Sequence, residues 1–364
     1  MLVPLLMGVN AIACVPAARQ GPVRDDGGWT VPMGSESRAP SADERAPTEP
    51  ALRWRVNVKR GAAGPPALGD GIVVVATLDR AITLLDWETG ETIWRRAVNQ
   101  PAIGAPVLAG DRVYAATAGR EGRVYALDLR KGARRWEARV GSVVPPLAVT
   151  PGHVFVASQG GTVQALSAAD GRSRWTRRVR GIVRCGPVLL GEHLFVATDD
   201  SLYLVATTDG EIVQRAAAPA TVVTPPAVAG DTLVLTSPDG VVVAVARDDL
   251  RTLWTVQTHD PVFGMPAIAR DTAFAVTLGG VLWRIPLGAP WEHDSLALHV
   301  TVRAAPSPTL DGVLIASTAG EVLFARGDVV EPRARVDGPV EQPPIVRDGI
   351  LLVIDGRGRV HTWR

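Results

Sequence analysis

Two groups of side chains in this sequence have the type and spacing to do chemistry. The first is Cys14. It closes an uncharged, mostly apolar run over residues 1–13. Such a run, ending in small residues, reads as a secretory signal and is too short to span a membrane. A thiol at that junction is a candidate for acylation. The second group is Arg177-Arg178-Val179-Arg180-Gly181, three arginines within four residues. Planar guanidinium groups on Arg178 and Arg180 could hold a partner's carboxylates bidentately.

The other reactive residue types do not combine into a site. The histidines at 153, 193, 259, 293, 299 and 361 form no close ligand pair. Trp291-Glu292-His293-Asp294 is polar, but one loop supplies too few ligands for a metal. Two cysteines cannot make a disulfide framework, and Cys185 sits in an apolar run where an inert buried thiol is expected. No phosphate-binding glycine loop and no GxSxG elbow is present. Asp79, Asp199, Asp200 and Asp239 fall in predicted turns, where solvated carboxylates are expected. We therefore expect no catalytic residue, no cofactor and no metal. Lys and Arg number 38 against 37 Asp and Glu, a net charge of +1. That balance argues against the basic footprint of sequence-blind nucleic-acid binding.

The elements that must carry these groups follow from a repeat. A small or apolar residue, a proline and a turn residue precede an apolar run in eight copies, with key prolines at 66, 106, 146, 187, 226, 266, 308 and 344. A second signature, an Asp- or Gly-containing turn followed by tryptophan, places Trp54, Trp94, Trp136, Trp175 and Trp254 at equivalent positions. Gln214 stands in the tryptophan place of one copy, Trp291 is out of phase, and residues 333–336 carry no tryptophan. Each copy parses into four short strands separated by turns. Repeated four-stranded units of this length give an all-β, eight-bladed β-propeller. The last copy stops after its third strand, and a spare tryptophan strand, residues 52–58, precedes the first. The N-terminal strand is therefore expected to complete the last blade and close the ring. The tryptophans should dock neighbouring blades, and the irregular sector should be blades 6 and 7.

The chain then divides into a signal segment over 1–13, a flexible tether over 14–50 and the propeller over 51–364. The tether's lack of hydrophobic periodicity and its Pro, Arg, Asp, Glu, Ser and Gly content oppose ordering.

The pattern Asp86-x-x-Thr89-Gly90-x-x-x-Trp94 resembles the quinoprotein-type, PQQ-like repeat. Two families share it. In the quinone-dependent alcohol dehydrogenases a vicinal disulfide often forms one face of the cofactor site, whereas Cys185 has no cysteine neighbour. About 39 residues per blade also leave no room for the long insertions of those enzymes. The BamB family of the outer-membrane β-barrel assembly machinery is the better resemblance, and Ala11-Ile12-Ala13-Cys14 is similar to a bacterial lipobox. The resemblance implies lipidation at Cys14, a periplasmic location against the outer membrane and no catalysis. It implies a monomeric propeller within a complex, whose partner is the POTRA domains of BamA. Val179-Arg180-Gly181 is similar to the loop that carries such contacts, while Thr221-Val222-Val223 stands where that family has acidic residues. The same repeat in an unrelated protein-binding or sensing propeller is the competing expectation.

Overall fold

Runs such as Ile72–Thr77 and Ala81–Asp86 are rich in β-branched and apolar residues and are separated by short turns. Each copy of the repeat consequently folds as a four-stranded antiparallel meander, and eight such sheets form the propeller. The computed structural model describes residues 43–364, so the expected acylation at Cys14 and the signal segment lie outside the described residues. The outer strands of blades 1–7 are Thr92–Ala97, Arg134–Arg139, Ser173–Arg178, Ile212–Ala217, Thr252–Gln257, Asp294–Ala297 and Val329–Arg335. Among the described residues no helix is long and apolar enough to cross a membrane.

Blade 8 is built from both ends of the chain. Leu52–Asn57 pairs antiparallel with Arg359–Trp363, matching Arg55 to His361 and Val56 to Val360. Ala51 and Arg364 exchange both backbone hydrogen bonds, at 2.8 and 3.0 Å. Two residues of the segment expected as a tether, Glu44 and Ala46, contact the propeller. Ala46 is buried, the Glu44 carbonyl accepts from Leu310 N–H at 2.8 Å, and the Glu44 carboxylate accepts from Asp348 N–H at 3.1 Å. The segment leading into Leu52 is therefore strapped across blades 7 and 8.

The core is a ring of eight apolar clusters, each straddling two neighbouring blades. One joins blades 8 and 1 through Val58, Val73, Leu85, Leu352 and Val360. Another joins blades 4 and 5 through Phe195, Leu204, Leu233 and Leu250. One blade alone cannot bury both its faces, so removing any interface exposes two apolar surfaces.

The tryptophans reinforce these interfaces in one recurring geometry. The indole N–H of Trp54, Trp94, Trp136 and Trp175 donates to a carbonyl of the next blade: Trp87 at 3.1 Å, Leu129 at 2.8 Å, Ala168 at 2.9 Å and Thr207 at 3.0 Å. The ring of each lies on the next blade's turn glycine. A Cβ on Gly132 would sit 2.6 Å from Trp94 Cδ2, and φ there is +61°. The glycine four residues before Trp94, Trp136, Trp175 and Gln214 is thus explained by the previous blade's tryptophan. Between blades 4 and 5 both partners change together. Gln214 Nε2 donates to the Asp249 carbonyl at 2.8 Å, and the turn position is Leu250, fully buried at φ +60°. The shorter amide leaves space that the leucine side chain fills.

Blades 6 and 7 are irregular. Trp291 lies in a short 3-10 turn, Pro290–Glu292, and is 74% exposed. Arg284 takes over the bridging role, holding Asp294 in its own blade and Asp328 at 3.0 Å in blade 7, with a further bond to the Gly327 carbonyl. In blade 7 the Arg333 guanidinium stacks on the Phe324 ring at 4.6 Å.

Candidate partner-binding face

Antiparallel meanders put two kinds of loop on two faces. The turns between second and third strands share one face with the connections from each outer strand to the next blade. We call this the connection face. The remaining turns form the opposite face. The arginine cluster enters blade 4 on the connection face.

Its loop is clamped from three sides. Val179 N–H donates to the Gly161 carbonyl at 2.9 Å, and Tyr203 Oη donates to the Arg180 carbonyl at 3.1 Å. Ile182 N–H donates to Asp199 Oδ1 at 2.8 Å. Gly181 has φ +91°, and a Cβ there would lie 2.5 Å from that same carboxylate oxygen.

These clamps decide which side chains face out. Arg178, Arg180 and Gly181 are exposed, but Val179 is buried in the cluster joining blades 3 and 4. The apolar group offered to solvent is Ile182, at 42% exposure. Arg177 is not available either, because its Nε donates to the Gly210 carbonyl of blade 4 at 2.6 Å. Of the four residues expected to meet a partner, Arg178, Arg180 and Gly181 are exposed and Val179 is not, and Ile182 is exposed beside them.

The next connections continue the surface. Val222, Val262 and Val302 are buried, and the residues after them, Val223, Phe263 and Arg303, are exposed. Arg303 lies over the Phe263 ring at 5.3 Å. The forty-residue offset between these pairs is the sequence signal that identifies them.

The turn aspartates do more than face solvent. Asp239 accepts from Thr221 N–H and Ser237 Oγ, both at 3.0 Å, and the Thr221 hydroxyl and N–H together with Ser237 hold its carboxyl below the usual range. Asp79 pairs with Arg95 at 2.5 Å. The carboxylates thus fix the loops of this face. Asp200 is likewise held low, by the hydroxyls of Ser201 and Thr198.

Cys185 is fully buried between blades 4 and 5, and burial pushes its thiol up to about 12. A thiol that stays protonated is a poor nucleophile. No group of three or more His, Cys, Asp or Glu side chains that could hold a metal occurs among the described residues. A recess of about 480 Å³ opens between blades 1 and 2. Within it Tyr125 Oη donates to Asn99 Oδ1 at 2.8 Å and Arg123 pairs with Glu137, while Arg123 Nε is left without a hydrogen-bond partner.

The family model described as outer membrane protein assembly factor BamB matches residues 46–150, 120–206 and 184–364. Among solved structures, BamB from Moraxella catarrhalis is 17% identical with a TM-score of 0.71, covering 86% of this chain and 97% of that one. The computationally designed Ika8 protein is 14% identical with a TM-score of 0.72, covering 84% and 97%. Sqt1 from Saccharomyces cerevisiae is 11% identical with a TM-score of 0.72, covering 86% and 99%. These structural likenesses speak to the fold alone. No curated protein matches the sequence.

Proposed function

The chain belongs to the family described as outer membrane protein assembly factor BamB, and from that premise we propose that it is a non-catalytic, lipid-anchored scaffold on the periplasmic face of the outer membrane. It would hold a protein partner during insertion of outer-membrane β-barrel proteins, and the POTRA domains of the barrel-assembly protein are the partner we propose. The observation that carries the reading is the family match across the whole propeller. The clamped loop before blade 4 supports it, because it presents Arg178, Arg180 and Ile182 on a fixed backbone. A preorganised loop binds with little ordering cost.

The decisive experiment is affinity purification of the full-length chain from gently solubilised membranes. Recovery of the barrel-assembly protein is expected, and recovery should drop at least tenfold for Arg180→Glu/Ile182→Asp. Recovery of other proteins without it would reject the partner. The anchor is tested separately. Cys14→Ser should move the protein from the membrane fraction to the soluble fraction, and unchanged sedimentation with membranes would reject acylation.

A further inference from the structure

The near-zero net charge conceals a polarised ring. Residues 51–180 form the outer strand of blade 8, blades 1–3 and the start of the connection into blade 4. They carry 20 Lys and Arg against 10 Asp and Glu, a net of +10. Residues 181–364 carry 14 against 21, a net of −7. Consecutive blades occupy consecutive sectors, so one side of the disc is cationic and the other anionic.

Within the cationic half the surplus falls on the connection face. On the opposite face more of the cations are matched, Arg53 with Glu88, Arg112 with Asp111, Arg135 with Asp128 and Arg172 with Asp170, while Arg130 and Lys131 have no ion pair among the described residues. On the connection face Asp79 and Glu121 are already taken by Arg95 and Arg139. Lys59, Arg60, Arg80, Arg120, Arg178 and Arg180 remain, all exposed and none ion-paired among the described residues. Cations left unpaired on one rigid face raise the local positive potential and attract a complementary surface.

We propose that the connection face of blades 1–3 docks a carboxylate-rich surface of a partner protein. The inference rests on the scaffold reading above and extends it beyond the loop before blade 4. Three observations select this occupant. Arg95 and Arg139 already hold carboxylates on the same face, so the chemistry is demonstrated there. A long nucleic acid crossing the disc would meet Asp199, Asp200, Asp239 and Asp260 on the anionic half of that face, whereas a compact acidic domain would not. The strap at Glu44 and Ala46 binds the first-to-second-strand turns of blades 7 and 8, at Leu310, Asp311 and Asp348. The chain therefore joins the body at the opposite face, and the cationic face is turned away from that attachment.

The test uses the purified full-length chain and poly-L-glutamate as probe, with titrations at low and physiological salt. Arg80→Glu/Arg120→Glu/Arg180→Glu should weaken binding at least tenfold. Arg130→Glu/Lys131→Glu/Arg172→Glu makes the same charge change on the opposite face and should weaken it less than twofold. Both should melt within a few degrees of the parent. Equal weakening by the two variants would overturn the proposal, because net charge alone would then explain binding. Tighter, face-dependent binding to phosphatidylglycerol vesicles or to a DNA oligonucleotide would overturn it too. Concentration-dependent self-association abolished by the first variant would assign the face to a second copy of this chain and overturn it likewise. Failure to recover the barrel-assembly protein, with poly-L-glutamate binding retained on this face, would sink the proposed function and leave the docking surface standing.

Discussion

Gly132→Ala is expected to destabilise the propeller by about 2–5 kcal/mol. Two costs combine. A left-handed backbone with a Cβ costs about 1–2 kcal/mol, and φ at Gly132 is +61°. Forcing a methyl against a packed ring costs about 1–3 kcal/mol more, and the new Cβ would lie 2.6 Å from Trp94 Cδ2. The two are separable. Gly110 has φ +56° with nothing within 4 Å of a Cβ, so Gly110→Ala should show only the backbone cost. In a Trp94→Ala background, itself costing about 3–5 kcal/mol, the packing part of Gly132→Ala should vanish. Chemical denaturation of the four proteins gives the coupling energy. Additive effects of Gly132→Ala and Trp94→Ala would remove the stacking explanation. Blade 4 supplies the mirror experiment. Gln214→Trp alone should be destabilising because Leu250 fills the space an indole needs, and Leu250→Gly alone should leave a cavity. The pair together should recover stability beyond the sum of the singles.

That pairing shows what could be read ahead of the fold. The prolines, the tryptophans and the glycines recur at fixed offsets, and a period of forty residues with four apolar runs admits few architectures. The spare strand at Leu52–Asn57 could be read the same way, because the last copy lacks its fourth strand. Side-chain direction in loops could not. Val179 and Ile182 are both apolar and three residues apart, and no strand alternation tells which faces in. The outcome depends on Asp199 and Gly161 in two other turns and on Tyr203 in a neighbouring strand. The strap at Ala46 was hidden for a related reason. One small apolar residue in a polar segment carries no periodicity, yet it is buried in the same apolar cluster as Leu314 and Val346. Charge polarity was lost in the total, since +10 and −7 nearly cancel with the N-terminal −2. Asp355 breaks the repeat without announcing a role, since seven of the eight copies have a hydroxyl at its place, at residues 77, 117, 158, 198, 237, 277 and 317. In those copies the hydroxyl serves the turn between second and third strands, as Thr77 Oγ1 does by donating to the Ala81 carbonyl at 2.9 Å.

In the blade that closes the ring, Asp355 makes that turn depend on charge, and Asp355→Ala is expected to destabilise the protein by about 3–5 kcal/mol, the cost of leaving buried partners unpaired. Its carboxylate is fully buried. Oδ1 accepts from Arg357 N–H at 2.9 Å and Arg359 N–H at 3.0 Å. Oδ2 accepts from Arg359 Nε at 2.7 Å and faces His361 Nε2 at 3.2 Å. His361 stacks on Trp363 at 5.5 Å and sits opposite Arg55 of the N-terminal strand. The turn therefore holds the strand on which ring closure rests. Acid should loosen it. Burial raises the Asp355 carboxyl, but the hydrogen bonds from Arg359 and His361 outweigh that and hold it below the usual range. Burial depresses the His361 imidazolium despite the opposing pull of Asp355. Both groups bind fewer protons folded than unfolded, so stability falls as pH falls. The His361 contribution is present above about pH 6.5 and is lost below it, and that of Asp355 follows below about pH 3.9. We expect Tm to drop between pH 7.5 and 5, and to drop less in His361→Gln. Limited proteolysis should cut after Lys59 or Arg60 sooner in Asp355→Ala than in the parent, because the loosened third strand no longer retains Leu52–Asn57. A parent-like digestion pattern together with an unchanged pH slope in His361→Gln would show that ring closure does not depend on this turn.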